Sequence, residues 1–251
     1  MATEKISNKK ILEKLDALLG KNDYKSAEEH LLYCKAQAES QNDNSALILI
    51  LNEFAGLYRK LAREEDALNI VKTALDLISN MGIENNIGAA TTYLNCATVY
   101  KAFGKAEKSL PLFEKAKEIY ETKLDRGDKR LGGLYNNMAL TLVDLKDFGA
   151  AYALYEKAIL VMKNTPDGLL EVAITYLNIA SAKEEELGAL EGEKIIEDYL
   201  NRATEILDAH EKRDGYYAFV CEKCASVFGY YGHFLYAKEL KERADTIYAR
   251  T

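Results

Sequence analysis

The sequence repeats itself with a period of about 42 residues, and this periodicity constrains the fold more than any other feature. Residues 93–120 read YLNCATVYKAFGKAEKSLPLFEKAKEIY, and residues 135–160 repeat the arrangement as YNNMALTLVDLKDFGAAYALYEKAIL. A repeat of this length is one supersecondary unit that cannot bury its hydrophobic face alone. Successive units must therefore stack. One alanine per repeat, which we call the marker alanine, fixes the register: Ala55, Ala97, Ala139, Ala180 and Ala225.

Further small residues follow the marker at fixed distances in four of the five repeats. In these four repeats a small residue stands twelve positions after the marker, and another stands seven positions later. Small residues at recurring positions indicate places where helix backbones approach closely, because a larger side chain would push the helices apart. The second and third small residues are Ala67 and Ala74, Ser109 and Ala116, Ala151 and Ala158, and Ala237 and Ala244.

Each repeat has the apolar spacing of two helices joined by a tight turn. Apolar or small residues recur every three or four positions on both sides of a short break, which is the helical period. In residues 93–120 the break is Phe103-Gly104-Lys105. Glycine at this point is typical of a helix end that needs a left-handed residue. Each repeat is thus expected to be a pair of antiparallel helices.

Residues 96–100 and 109–116 resemble the tetratricopeptide repeat, in which a small residue precedes an aromatic by three positions and a second helix has the form Ala-x-x-x-aromatic-x-x-Ala. The usual period of that family is 34 residues. A period of 42 is similar to the longer repeats of kinesin light chains, which also tolerate a proline early in the second helix, as at Pro111. The resemblance implies an all-α, right-handed superhelical α-solenoid of about six antiparallel helix pairs.

We expect one repeat domain over residues 1–251, with a divergent first pair that caps the N-terminal end. The fifth pair departs from the pattern, since 23 residues rather than 19 separate Ala180 from Ala203. The extra residues fall in KEEELGALEGEK, predicted to be an acidic loop that is either a solvated insertion or a lip that contributes to binding. The predicted pairs are 7–40, 44–80, 86–124, 129–164, 167–209, beginning at Asp167, and 213–250.

Composition and charge narrow the classes of partner. The net charge of −7 and the absence of a basic block argue against nucleic acid, whose binders present clustered Lys and Arg. No apolar run is long enough to span a bilayer, and the N-terminus lacks the apolar core of a secretory signal. The sequence therefore predicts a cytoplasmic protein that contacts neither nucleic acid nor membrane, and it leaves the oligomeric state open.

The residues that usually carry chemistry do not form a recognisable site. Cys221 and Cys224 form a Cys-x-x-Cys pair, but no second pair supplies the four ligands of a structural zinc site. We interpret these thiols as small buried packing residues. The three histidines, His30, His210 and His233, fall in different repeats. We expect no metal, no cofactor and no catalytic residues.

The position two residues before the marker alanine is the most informative polar position. It holds Asn95, Asn137 and Asn178 in three successive repeats, with Glu53 and Lys223 in the flanking ones. Asparagine is less favourable than alanine in a helix by roughly 0.6 kcal/mol, so its recurrence needs a reason. A ladder of carboxamides offers donors and acceptors that suit the backbone of an extended peptide, and the resemblance to kinesin light chains implies such a ladder in the groove. Alternatively, the amides bond to neighbouring helices and position the stack.

The sequence thus favours a non-catalytic scaffold that binds a protein or an extended peptide in the concave groove formed by the first helices. A peptide-responsive sensor of the bacterial tetratricopeptide type is the second hypothesis, and an enzyme with a site that the sequence does not reveal is the third. The candidate groove residues are Asn52, Glu53, Arg59, Asn95, Thr98, Lys101, Asn136, Asn137, Asn178, Ser181 and Lys223.

Overall fold

The computed structural model describes residues 7–166 and 168–250, which form twelve α-helices and contain no strand. The helices pack as six consecutive pairs, and this confirms the predicted all-α repeat architecture. The pairs are α1 (Asn8–Leu19) with α2 (Tyr24–Ser40), α3 (Asn44–Lys60) with α4 (Glu64–Met81), α5 (Ile87–Ala102) with α6 (Ala106–Lys123), α7 (Lys129–Asp144) with α8 (Phe148–Lys163), α9 (Leu169–Leu187) with α10 (Ala189–Ala209), and α11 (Gly215–Tyr230) with α12 (Phe234–Tyr248).

The chain divides into two compact units, the first ending at Lys123 and the second beginning at Leu124. The first unit contains α1 to α6 and the second contains α7 to α12. The predicted single domain over residues 1–251 stays a prediction. The predicted start of the fifth pair, Asp167, lies outside the described residues.

The same tight turn joins the two helices in five of the six pairs. A left-handed residue stands just before the start of the second helix, and the next backbone N–H donates to a carbonyl oxygen five residues back, as from Lys105 to Tyr100 at 2.9 Å. This bond is the signature of a Schellman turn. Gly104, with φ of 69°, has the predicted role, whereas the equivalent residues of the other pairs are Asn22, Ala62, Lys146 and Gly232.

Six of the twelve described helices start at a carboxylate or carboxamide that caps them. Its oxygen accepts a bond from a backbone N–H in the first turn, which would otherwise lack a partner. The caps are Asp23, Asp43, Asn86, Asp128, Asp147 and Asp214.

The marker alanines are buried where the helices meet, and each unit has a hydrophobic core of its own. In the third pair the small residue on the second helix is Ser109, which is fully buried and donates its hydroxyl to the Ala97 carbonyl oxygen at 2.8 Å. A serine is therefore accepted at this position because its polar group is satisfied inside the pair.

A repeated contact between a tyrosine and a cation also ties the two helices of a pair together. The tyrosine lies four residues before the marker alanine, and the cation lies directly before the last small residue of the repeat. Lys115 stands 5.5 Å from the Tyr93 ring centroid and Lys157 stands 5.4 Å from that of Tyr135. Arg202 stands 5.9 Å from that of Tyr176. This periodic cation–π contact was not predicted from the sequence.

The expected loop in KEEELGALEGEK is wrong, because these residues are helical. α9 extends to Leu187, Gly188 alone breaks the helix with φ of 85°, and α10 begins at Ala189. The additional residues lengthen both helices, to 19 and 21 residues, instead of forming an insertion between them. Four residues are close to one helical turn, so the packing stripes keep their phase.

Candidate binding surface on the first helices

All eleven predicted groove residues lie on the first helices of their pairs. We call the surface of α3 and α5 the first-helix face of the first unit, and that of α7, α9 and α11 the first-helix face of the second unit. Within each unit these helices pack against one another in order. The first unit holds Asn52, Glu53 and Arg59 on α3 with Asn95, Thr98 and Lys101 on α5, and the second holds Asn136 and Asn137 on α7, Asn178 and Ser181 on α9, and Lys223 on α11.

The asparagines of the first unit differ in their partners. Asn52 donates from Nδ2 to Thr92 Oγ1 at 3.0 Å, a bond that joins α3 to α5, and its buried Oδ1 has no partner among the described residues. The partly buried carboxamide of Asn95 makes no hydrogen bond with any residue that the structure describes. The Thr98 hydroxyl donates instead to the Asn95 backbone oxygen at 2.7 Å. Bracing of the stack therefore accounts for Asn52 and not for Asn95.

Glu53 and Arg59 are charged residues close in sequence to Asn52, and neither forms an ion pair with another described residue. Burial raises the pKa of the partly buried Glu53, and the neighbouring charge of Asp16 raises it further. Arg59 is exposed, yet the surrounding protein lowers the pKa of its guanidinium by desolvation. Both charges are thus available to a ligand of opposite charge.

The asparagines of the second unit divide in the same way. Asn178 donates from Nδ2 to Asn136 Oδ1 at 3.1 Å, which joins α9 to α7. Asn137 donates from Nδ2 to the Gly133 carbonyl oxygen at 2.8 Å within its own helix. The amides of Asn52 and Asn178 make the bonds between helices that the bracing hypothesis expects. Asn95 and Asn137 make none, and they keep an amide oxygen that can accept a bond from a ligand.

A cavity of about 590 Å³ opens on the second unit beside the N-terminal halves of α7 and α9. Asn137 and Gly133 line it on α7, and Glu171 lines it on α9. Tyr216 of α11 donates its hydroxyl to Glu171, and this bond holds the carboxylate at the cavity wall. Lys129, His210, Lys212 and Asp214 add charged or titratable groups of both signs.

A second cavity, of about 490 Å³, lies between the C-terminal halves of α9 and α11. It is lined by Ser181, Glu184 and Glu185 on α9 and by Ser226, Val227 and Tyr230 on α11. The Tyr230 hydroxyl donates to Glu184 Oε1 at 3.0 Å, and the Tyr231 hydroxyl donates to Glu184 Oε2 at 2.8 Å. The predicted residue Ser181 therefore borders a cavity that also contains Glu184, which was not among the predicted groove residues.

Exposed aromatic side chains of α11 also lie on this face and were not among the predicted groove residues. Tyr216, Phe219 and Tyr230 are 38%, 51% and 69% exposed. Tyr216 and Phe219 stack with ring centroids 6.4 Å apart. The signal was available, since these aromatics lie off the buried stripe of the helix that contains Tyr217 and Phe228. Exposed aromatic residues are enriched where proteins bind one another.

The described residues do not point to metal chemistry. All four cysteines are free and buried, as the packing interpretation expects. Burial raises the pKa of Cys96 and Cys224 to about 12. Within residues 7–166 and 168–250, His, Cys, Asp and Glu never gather in a group of three or more able to hold a metal ion. In the same residues, every helix is too short or too polar to cross a membrane.

Comparison with known proteins supports the repeat assignment. Residues 46–122 match the family model of the tetratricopeptide repeat. Protein KINESIN LIGHT CHAIN-RELATED 3 of Arabidopsis thaliana is 20% identical over 154 residues, which are 61% of this chain and 24% of the relative. The chain thus spans about a quarter of the length of that curated relative.

Two solved structures share the fold. The crystal structure of BtubC (BKLC) from P. vanneervenii superposes with a TM-score of 0.68 at 20% identity, covering 81% of this chain and 82% of that one. The kinesin light chain TPR-like repeats of Podosopora anserina superpose with a TM-score of 0.53 at 14% identity, covering 80% and 94%. The resemblance drawn from residues 96–100 and 109–116 is confirmed: residues 46–122 match the tetratricopeptide repeat, and the chain shares the fold of these kinesin light chain-like repeat structures.

Proposed function

We propose that the chain is a non-catalytic cytoplasmic scaffold that binds an extended segment of another protein on the first-helix face of the second unit. The observation that carries this proposal is the pair of cavities on that face. One lies at the N-terminal halves of its helices and the other at the C-terminal halves, with Asn178 between them in sequence. Tetratricopeptide repeats generally mediate protein interactions, and this agrees with the proposal.

Helical geometry places the polar residues of this face in rows. Seven residues are about two turns of an α-helix, so Glu171, Asn178 and Glu185 fall along one side of α9. Tyr216, Lys223 and Tyr230 fall along one side of α11 for the same reason. Fourteen residues of helix extend about 21 Å at 1.5 Å per residue. An extended segment of about six residues covers that distance.

Asn137 is the residue best placed to read the backbone of such a segment. Its amide nitrogen is bonded within α7, its amide oxygen makes no bond to a described residue, and the residue lines the larger of the two cavities. A peptide N–H needs an acceptor of this kind when it leaves water. The other candidates on this face keep the helices in register, as Asn178 and Asn136 do, or line the smaller cavity, as Ser181 does.

The proposal is tested by selecting ligands from a random dodecapeptide display library on the full chain, and by measuring the affinity of the enriched peptides. Asn137→Ala is expected to weaken a selected peptide about fivefold, since one hydrogen bond contributes about 1 kcal/mol. Asn201→Ala is the matched control, because Asn201 is exposed on the second helix α10. Failure to enrich any peptide, or equal affinity for wild type and Asn137→Ala, would contradict the proposal.

A further inference from the structure

We infer that the cavity between α9 and α11 binds a cationic side chain, arginine above all, contributed by the partner segment. The inference rests on the proposed function and specifies the chemistry of the segment that this face recognises. It follows from a three-residue arrangement that occurs elsewhere in the chain, in which a tyrosine hydroxyl bonds a carboxylate while a cation contacts both the carboxylate and the tyrosine ring.

Three such arrangements are complete within the described part of the chain. Tyr58 donates to Glu28 at 2.8 Å, while Arg63 bonds Glu28 at 2.8 Å and lies 4.4 Å from the Tyr58 ring centroid. The other two are Tyr152 with Glu186 and Lys183, and Tyr236 with Asp208 and Arg243. In each of them the cation interacts with the carboxylate charge and with the electron-rich face of the ring.

Glu184 has the tyrosines of this arrangement and no cation from the described part of the chain. Its two oxygens each accept one phenol hydroxyl, from Tyr230 and Tyr231. A carboxylate oxygen has two lone pairs, so each can still accept a second bond. The phenols fix the orientation of the carboxylate, and both oxygens remain able to meet the two parallel N–H groups of a guanidinium.

The surroundings of Glu184 fit the rest of an arginine side chain. The Tyr230 ring is 69% exposed, and no described Lys or Arg lies over it. Val227, in the cavity wall, offers an apolar contact for the methylene stem. Two lysines bond the carboxylates that follow Glu184 in the sequence: Lys146 bonds Glu185, and Lys183 bonds Glu186 at 2.8 Å. The carboxylate left for a partner is therefore that of Glu184.

Arginine is favoured over lysine because its planar group can stack on Tyr230 while it bonds both oxygens of Glu184. A neutral amide in the same place would bond the carboxylate with one group only and would leave its charge unpaired. The cavity of about 490 Å³ is large enough for this side chain together with water. The inferred ligand is thus a basic residue within an extended segment.

The test begins with the peptides that the dodecapeptide library yields on the wild-type chain. These peptides are expected to share an arginine or lysine. Replacement of that arginine by citrulline, which keeps the shape and removes the charge, is expected to weaken binding about tenfold or more, since hydrogen bonds between charged groups are the strong ones. Glu184→Gln is expected to cause a similar loss. The two losses should not add when both changes are made, because they remove the same contact.

Three controls keep the outcome unambiguous. Glu205→Gln changes the same charge at an exposed position of α10 and should leave the affinity unchanged. Tyr230→Phe keeps the ring and should bind better than Tyr230→Leu. Melting curves of each variant establish that it is folded. Peptides that bind and respond to Asn137→Ala but not to Glu184→Gln or citrulline would overturn this inference and leave the proposed function in place.

Discussion

Asn95 and Asn178 both stand two residues before a marker alanine, but only Asn178 bonds a described residue of a neighbouring helix through its side chain. Substituting each by alanine tests this difference. Asn178→Ala removes the donor to Asn136 Oδ1 at 3.1 Å and so loses a hydrogen bond of about 1 kcal/mol. Alanine returns roughly 0.6 kcal/mol of helix propensity. The expected net loss in the free energy of unfolding is about 0.5 kcal/mol. Asn95→Ala loses no side-chain bond to a described residue, so its stability should rise by roughly 0.6 kcal/mol.

The two substitutions should therefore move the melting temperature in opposite directions. For a chain of this length 1 kcal/mol corresponds to roughly 2–4 °C, so each shift should be about 1–2 °C and the difference about 2–4 °C. Thermal unfolding followed by circular dichroism at 222 nm measures both, with Asn201→Ala as the exposed control that reports helix propensity alone. A cycle with Asn136→Ala should give a coupling of about 1 kcal/mol. A stabilised Asn178→Ala variant, or a coupling near zero, would refute the reasoning.

Two further substitutions test the turn and the buried charge. Ala62→Gly should raise the free energy of unfolding by about 0.5–1 kcal/mol in urea titrations, because Ala62 holds φ of 54° at a cost that glycine avoids. The control, Ala153→Gly in the exposed middle of α8, should lower the free energy of unfolding by about 1 kcal/mol. A lower free energy of unfolding for both variants would show that the turn carries no strain. Burial raises the pKa of Glu53 above its unfolded value, so its contribution to stability is fully present at low pH and is lost as pH rises through the folded pKa. Glu53→Gln should therefore stabilise the protein at neutral pH, and this gain in stability should shrink at pH values below the ordinary pKa of a carboxyl group. The control, Glu118→Gln at an exposed position of α6, should show neither effect. A gain in stability for Glu53→Gln that does not change with pH would exclude the burial explanation.

The architecture could be predicted from the sequence because the period and the small residues are properties of the chain alone. Gly104 indicated a left-handed turn, and the structure has one there. The fifth pair could not be predicted in the same way, since acidic residues with two glycines are as typical of a loop as of a helix end. Only packing against the neighbouring helices decides that α9 and α10 continue to a one-residue break at Gly188.

The candidate site was predictable in place but not in detail. Asn95 and Asn178 occupy the same repeat position, yet only Asn178 finds an amide partner, because Asn136 turns to α9 while the equivalent Asn52 bonds Thr92. A position in a repeat fixes the helix and the side that a residue faces, but the partner depends on one neighbour in the adjacent repeat. Glu184 was missed for the same reason: its importance comes from two tyrosines 46 and 47 residues further along the chain.

The side-chain bonds between neighbouring helix pairs join residues that the ribosome synthesises a short time apart. Thr92 lies 40 residues after its partner Asn52, Asn178 lies 42 after Asn136, and Tyr231 lies 47 after Glu184. A ribosome adds roughly 5–20 residues per second. Each of these residues therefore follows its partner into the growing chain within roughly 2–9 seconds. Within each unit a helix pair needs to wait only for the next pair before its exposed stripe is covered, and this shortens the time during which a nascent chain presents apolar surface to its surroundings.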